Sequence, residues 1–356
     1  MPYYDRPDPL RRHRKRTLSV NQLTRRTAMK QACLGMDLGG SNLFSVAYDT
    51  TSGEPVLESK IDTEARSGYA HVIARIASQI TEIERRLQDT GYTVTAIGLG
   101  VPGAVDAEHG LIHIAPNLDW HGVHLVADLP VTDEVRKKIR LINDVNAGLF
   151  GELREINPVP ACAVAYFCGT GIGGAIAFHG QLLTGVGGSA GEVGHMVIRK
   201  GGKRCQCGRR GCLEAYIGKW ALNARIQRAL IKNKATSLKQ MIDYDLTKMP
   251  IKSATLKKAY TKRDSFTRKL LERHYAAYLA AGISQTVNLL SPDVVILGGG
   301  VMEALGDALL PAVYDRLEKH CLASVPTLRL ATLGDYAGTK GAAYYAAGQM
   351  AASGVV

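Results

Sequence analysis

Hydrophobic positions along the chain follow two alternating periods. Leu34–Asp37 is a short apolar run leading into Gly39-Gly40. Asn42–Tyr48 resumes it, and Val56–Ile61 follows the turn Thr51-Ser52-Gly53. Short strand-like runs joined by tight turns predict antiparallel pairing. Between residues 70 and 88, Val72, Ile73, Ile76, Ile80, Ile83 and Leu87 recur near the helical period. Ala96–Val101 reads as a buried strand ending at Pro102-Gly103. Arg140–Asn143 reads as another, with a helix from about Val145.

The opening pattern then returns. Ala163–Phe167 is a strand, Gly169–Gly174 a glycine turn, and Ala175–Phe178 a second strand. The segments DLGGSNLFSVAY and CGTGIGGAIAF are one device used twice, which predicts two similar α/β lobes facing one another. Leu271–Leu290 reads as a long apolar helix, Val294–Leu297 as a buried strand ending in Gly298-Gly299-Gly300, and Thr339 to Met350 as a closing helix. Residues 232–265 are Lys-rich with weak periodicity and read as a helical insertion.

Composition adds limits rather than a function. A chain of 356 residues has room for two domains. Hydrophobic residues at 46% exclude global disorder, and 38 glycines without a three-residue period exclude a collagen-like chain. The net charge of +12 points at first to a nucleic-acid partner. Its placement removes that reading. Residues 1–30 carry +7 and residues 219–273 carry +11, which leaves the remainder at −6. The first segment lacks apolar periodicity and reads as a disordered arm; Arg-rich and free of Glu, it loosely resembles an organelle transit peptide. It has no apolar stretch of secretory-signal type, and no segment reads as membrane-spanning. A cytoplasmic protein is expected.

Three of the seven cysteines cluster. His195, Cys205, Cys207 and Cys212 give H-x9-C-x-C-x4-C, the donor set of a closed structural zinc site. Gly202, Gly208 and Gly211 suit the tight loop this needs. Asp37, Gly39, Gly40 and Ser41 follow a strand, where glycines let backbone N–H groups approach phosphate oxygens and Asp37 offers oxygen to Mg²⁺. Thr170, Gly171, Gly173 and Gly174 repeat that arrangement. Neither is a Walker loop, and each turn leads into a strand rather than a helix, so neither fits a dinucleotide fingerprint. Asp144 stands at a strand end before a helix. That is the place for an N-cap or for a general base, and the two roles are compatible.

In order along the chain, DLGGS, GLGVPGAVD, PNLDW, INDVNA, GTGIGG, GEVGHM and CQCGRRGCLEAY resemble the ROK family of bacterial sugar kinases and sugar-responsive repressors, over roughly residues 33–350. The resemblance implies an actin/hexokinase-like ATPase fold of two ribonuclease-H-like lobes with a structural zinc loop. The basic arm at 1–30 is extra to the minimal kinase; the resemblance implies a smaller lobe at 31–143, completed by a C-terminal helix at 335–356. The larger lobe spans 144–334, with the zinc loop at 195–214 and the basic insertion at about 232–265. It implies an ATP-dependent hexose kinase of glucokinase type that phosphorylates the sugar 6-hydroxyl, with Asp144 as base, Mg²⁺ with the ATP, and structural Zn²⁺. Sugar contacts fall on Gly103, Asn117, Asn143, Asp144, Glu192, His195 and Glu214. Nucleotide contacts fall on Asp37, Gly39, Gly40, Ser41, Asn42, Thr170, Gly171, Gly173 and Gly174, with Gly299 and Gly300 near the adenine. His195 has two tasks, one ring nitrogen on zinc and the other facing sugar. By the same resemblance the chain is a homo-oligomer, a dimer or tetramer.

Alternatives stay open. The sugar is glucose or another hexose: N-acetylglucosamine, N-acetylmannosamine, mannose, allose or fructose. The donor is ATP or, encouraged by the basic insertion, polyphosphate. Asp119 stands where the family more often has Pro or Gly. A sugar-responsive regulator would need a winged helix–turn–helix. The residues before the first strand contain Pro2, Pro7 and Pro9 and no two-helix pattern.

Overall fold

A computed structural model describes residues 29–352, apart from 247, 248 and 323. The expected basic arm lies outside the described residues up to residue 28, as do 353–356. Strands β1 (Lys30–Leu38), β2 (Asn42–Asp49) and β3 (Pro55–Asp62) form an antiparallel meander, as the turn spacing predicts. After the helix Tyr69–Asp89, β4 (Tyr92–Val101) returns parallel to β1. Three short strands, β5 (Ala104–Asp106), β6 (Leu111–Ala115) and β7 (Trp120–Val123), make a separate sheet. β8 (Ile139–Asn143) completes the first sheet in the order β3-β2-β1-β4-β8.

The second sheet repeats that plan. β9 (Cys162–Cys168), β10 (Ile172–Phe178) and β11 (Gln181–Leu182) are antiparallel neighbours, and β12 (Val294–Gly298) and β13 (Thr327–Leu330) run parallel to β9. The order β11-β10-β9-β12-β13 matches the first sheet strand for strand.

β1 is buried along most of its length because helices cover both faces. Val72, Ile76, Ile80 and Ile83 of the helix Tyr69–Asp89 form one cover. The C-terminal helix Tyr336–Ala352 is the other, and packs also on the helix Asp144–Leu153. Its richness in Ala and Gly has a packing cause. Gly35 and Gly98 have no room for a Cβ beneath the backbone of Thr339 and Ala342, so helix and sheet touch backbone to backbone.

Two expectations change in detail. β10 begins at Ile172, so Gly173 and Gly174 lie inside the strand and not in the turn. They are glycine because neighbours fill the space a side chain would take: a Cβ on Gly173 would sit 2.6 Å from Val145, and one on Gly174 would strike the Gly191 carbonyl. The helix expected over Leu271–Leu290 begins earlier, at Ser265, and carries a π-helical segment at Lys269–Tyr275. The Lys-rich insertion folds into short helices that send Leu238, Leu256 and Ala259 into the larger core, joined there by Ile251 of the connecting chain, all fully buried. Among the described residues no helix is long and apolar enough to cross a membrane.

Candidate active site

The first glycine turn and the start of the helix Asp144–Leu153 face each other across a cleft of about 510 Å³. Asp37, Gly39, Gly40, Ser41, Asn42, Asp144 and Gly299 line it. Asp37 stands between the fully buried Met36 and Leu38 near the end of β1, which fixes its carboxylate in the cleft lining. Burial, followed by the charges of Asp144 and Asp335, pushes its pKa up to about 7, against the opposing charge of Lys60. Such crowded carboxylate oxygens are the donors a hard cation prefers.

The placement of Asp144 comes from its neighbour. Asn143 is the N-cap: its Oδ1 accepts the backbone N–H of Val145 and of Asn146, each at 3.0 Å. Its Nδ2 donates to Gly103 O at 2.9 Å and to Asp144 Oδ1 at 3.0 Å. Asp144 Oδ1 also accepts Val145 N–H at 2.9 Å. One carboxylate oxygen is therefore tied down, and among the described residues Oδ2 makes no hydrogen bond. Burial raises the Asp144 pKa, the hydrogen bonds from Val145 and Asn143 restrain it, and the charge of Glu192 raises it further.

Glu192, His195 and Glu214 do not line that cleft, although the charge of Glu192 reaches Asp144. Asn117 is exposed beside the first glycine turn, its carbonyl 3.1 Å from where a Gly40 Cβ would be. Glu214 is buried and already occupied: Oε2 accepts the Ile172 N–H at 3.0 Å, and Oε1 accepts the Cys205 thiol at 3.5 Å. Thr170, Gly171, Gly173, Gly174 and Gly300 do not line the cleft either. Gly171 abuts the Glu214 carboxylate, which leaves no space for a side chain there.

The ligand atoms of His195, Cys205, Cys207 and Cys212 all lie within 4.8 Å of one another. Cys207 Sγ and Cys212 Sγ are 3.7 Å apart, and His195 Nδ1 is 3.8 Å from Cys205 Sγ. Sulfurs at about 2.3 Å from a tetrahedral zinc stand about 3.8 Å apart, so the donor set fits that ion. His195 turns Nδ1 to the sulfurs and leaves Nε2 free of them. Gly211 has φ +90° and Gly208 φ +87°, backbone that glycine adopts without strain. Gly202 is glycine for a different reason, since the Tyr216 hydroxyl occupies the space beside it.

A model of the ROK family matches residues 33–349. The chain belongs to the ROK family. It is similar to a glucokinase of Thermotoga maritima, at 34% identity over 83% of this chain and 90% of that one. It is similar also to a glucokinase of Halalkalibacterium halodurans, at 32% identity over 86% and 92%. Among solved structures it resembles a ROK family glucokinase from Streptomyces griseus in complex with glucose and AMPPNP. The TM-score is 0.74 at 26% identity, covering 89% of this chain and 99% of that one. This ROK-family chain is a sugar kinase with an actin/hexokinase-like α/β fold.

In this ROK chain the cleft also holds Lys60, Glu303 and Asp335, which carry no motif. Lys60 had a weak signal at most: it sits opposite Phe44 across the β2–β3 pairing, its ammonium 5.6 Å from the ring. Asp119 has φ +58°, left-handed backbone that Asp tolerates better than most side chains.

Proposed function

We propose that the chain transfers the γ-phosphoryl group of ATP to the 6-hydroxyl of glucose, with Asp144 as general base. The observation that carries this reading is the half-tied Asp144 carboxylate, which lines the cleft and lies within the field of Glu192. Asp144 Oδ2 takes the 6-hydroxyl proton as that oxygen attacks the γ-phosphorus and the bond to ADP breaks. A raised pKa makes the ionised carboxylate a stronger acceptor. The backbone of residues 39–42 and the Ser41 hydroxyl hold phosphate oxygens, and Asn143, Glu192, His195 and Glu214 hold sugar hydroxyls. Mg²⁺, when bound, neutralises charge on the transferring phosphate; Asp37, with Asp335 near it, would hold it.

Zinc would bind His195 Nδ1 and the thiolates of Cys205, Cys207 and Cys212, ordering the loop so that His195 Nε2 meets the sugar. Burial pushes the Cys205 thiol up to about 12, so binding must displace that proton. Metal analysis is expected to return one zinc per chain, and chelation to weaken sugar binding while nucleotide binding persists. A metal-free protein with full sugar affinity would refute this role.

Asp144→Asn is expected to lower kcat by about 1,000-fold with the melting temperature preserved. Near-normal turnover would sink the assignment. A coupled assay with ATP and polyphosphate across glucose, N-acetylglucosamine, N-acetylmannosamine, mannose, allose and fructose should show its largest kcat/KM for glucose with ATP. Another leading pair would replace that specificity.

A further inference from the structure

Beside the loop that carries the metal donors lies a second cavity of about 460 Å³. It shares no lining residue with the catalytic cleft. Arg199, Lys200, Lys203 and Arg225 line it, and no carboxylate does. Among the described residues none of these four cations enters an ion pair. Arg85, Arg268 and Lys319, by contrast, each have a carboxylate three or four residues away on the same helical stretch.

The floor is aromatic. Tyr216 and Tyr278 stack with ring centroids 4.2 Å apart, and the Lys203 ammonium lies 5.0 Å from the Tyr216 ring. His274 closes the wall, its ring nitrogen 3.0 Å from the Tyr216 carbonyl. Burial, then the charges of Arg225 and Lys203, hold its pKa down, to about 4. His274 is thus neutral at pH 7 and lies within the field of those cations. It also belongs to the π-helical segment, an irregularity that proteins use mostly at functional positions.

Like charges gathered round a small hollow repel one another until an anion enters. Guanidinium forks and an ammonium on an aromatic bed suit a planar or tetrahedral oxyanion, and the half-buried Tyr278 adds apolar surface to the lining. The volume exceeds that of a bare phosphate and suits a small phosphorylated metabolite. We propose that this cavity is a second ligand site, separate from the catalytic cleft, that binds a phosphomonoester dianion of sugar-phosphate size. Its occupant bears on the sugar side of the enzyme. Lys203 and Tyr216 belong to the same stretch as Cys205 and Glu214, and Lys203 N–H donates to the Tyr216 hydroxyl at 3.0 Å. Ordering the cavity orders that stretch.

The test is calorimetric titration of the full chain with inorganic phosphate and, separately, with glucose 6-phosphate. The catalytic cleft is first saturated with glucose and a non-hydrolysable ATP analogue. The variant below keeps the result independent of the kinase reading, because Arg199 and Arg225 line this cavity and not the catalytic cleft. Saturable binding at one site per chain is expected, weakened about 100-fold by the double variant Arg199→Glu, Arg225→Glu. Turnover at low phosphate should be unchanged in that variant. Tighter binding of glucose 6-phosphate than of phosphate shows that the tyrosine bed reads the sugar; equal binding shows that the site reads the phosphate group alone. No saturable binding to the native chain, or undiminished binding to the variant, overturns the proposal. Should the double variant fail to fold, the His274 ring-proton resonance supplies the readout. It should move on titration in the native chain and stay fixed in Arg225→Gln, and movement in both would overturn the proposal.

Discussion

The two glycine turns look alike as text and differ as objects. Across the first, Leu38 pairs with Leu43; across the second, Cys168 pairs with Ile172, so the second turn is one residue tighter. Around Gly39 and Gly40 the nearest atoms stand 3.3 and 3.1 Å from an added Cβ, and the turn opens onto the cleft. Around Gly171, Gly173 and Gly174 the space is taken, by the Glu214 carboxylate, by Val145, and by Gly191 with Val193. One set of glycines keeps a surface open to a ligand. The other lets the elements that carry Asp144, Glu192 and Glu214 close on β10 and its turn. A glycine motif therefore names a close approach without saying what approaches.

This contrast is broken most sharply by paired alanines. Gly174→Ala should cost about 2–3 kcal/mol of stability, because backbone and a packed valine must both move. Gly40→Ala should change stability by less than about 1 kcal/mol, since its neighbour has only to yield slightly and its backbone is not left-handed. On the proposed function it should nonetheless raise the KM for ATP about ten-fold, by crowding the backbone that lines the cleft. Chemical denaturation and initial rates measure both. Equal stability losses, or a Gly174 variant that is stable and selectively poor in ATP binding, would erase the distinction between the turns.

The same contrast shows what was legible in the sequence. The doubled sheet was visible because strand, glycine turn and strand recur with their apolar runs intact, and Ala163–Phe167 and Val294–Leu297 fall within β9 and β12. The cluster of His195 with Cys205, Cys207 and Cys212 was visible because three thiols within eight residues have few other uses than holding a metal. Asp144 was marked by its place at a strand end, yet its cap turned out to be Asn143, and side-chain identity alone does not divide those roles. What stayed hidden depends on contacts between distant segments. Asp335 meets Asp37 only after the C-terminal helix docks on β1, and Lys203 meets Arg225 and His274 only after the helix Lys219–Ile231 and the segment Lys269–Tyr275 pack beside its loop. No local period encodes such meetings. The basic total of the chain likewise hid a local fact, that part of it surrounds one cavity.

A smaller effect should come from a carboxylate that braces the cleft without lining it. Glu152 is 1% exposed on the helix that begins with Asp144. Its Oε1 accepts the N–H of Thr332 and of Leu333 at 2.9 and 2.8 Å, and its Oε2 accepts the Thr332 hydroxyl at 3.1 Å. These bonds clamp the segment that runs on to Gly334, Asp335, Ala337 and Gly338, all of which line the cleft beside the first turn. Glu152→Gln keeps the shape and replaces one acceptor with a donor facing N–H groups. It should cost about 1–2 kcal/mol of stability. It should also raise the KM for ATP several-fold, about what one lost positioning contact costs, with the KM for glucose unchanged. A loss that fell instead on glucose would mean that this segment serves the sugar side, and that the opening of the first turn is not what sets nucleotide affinity.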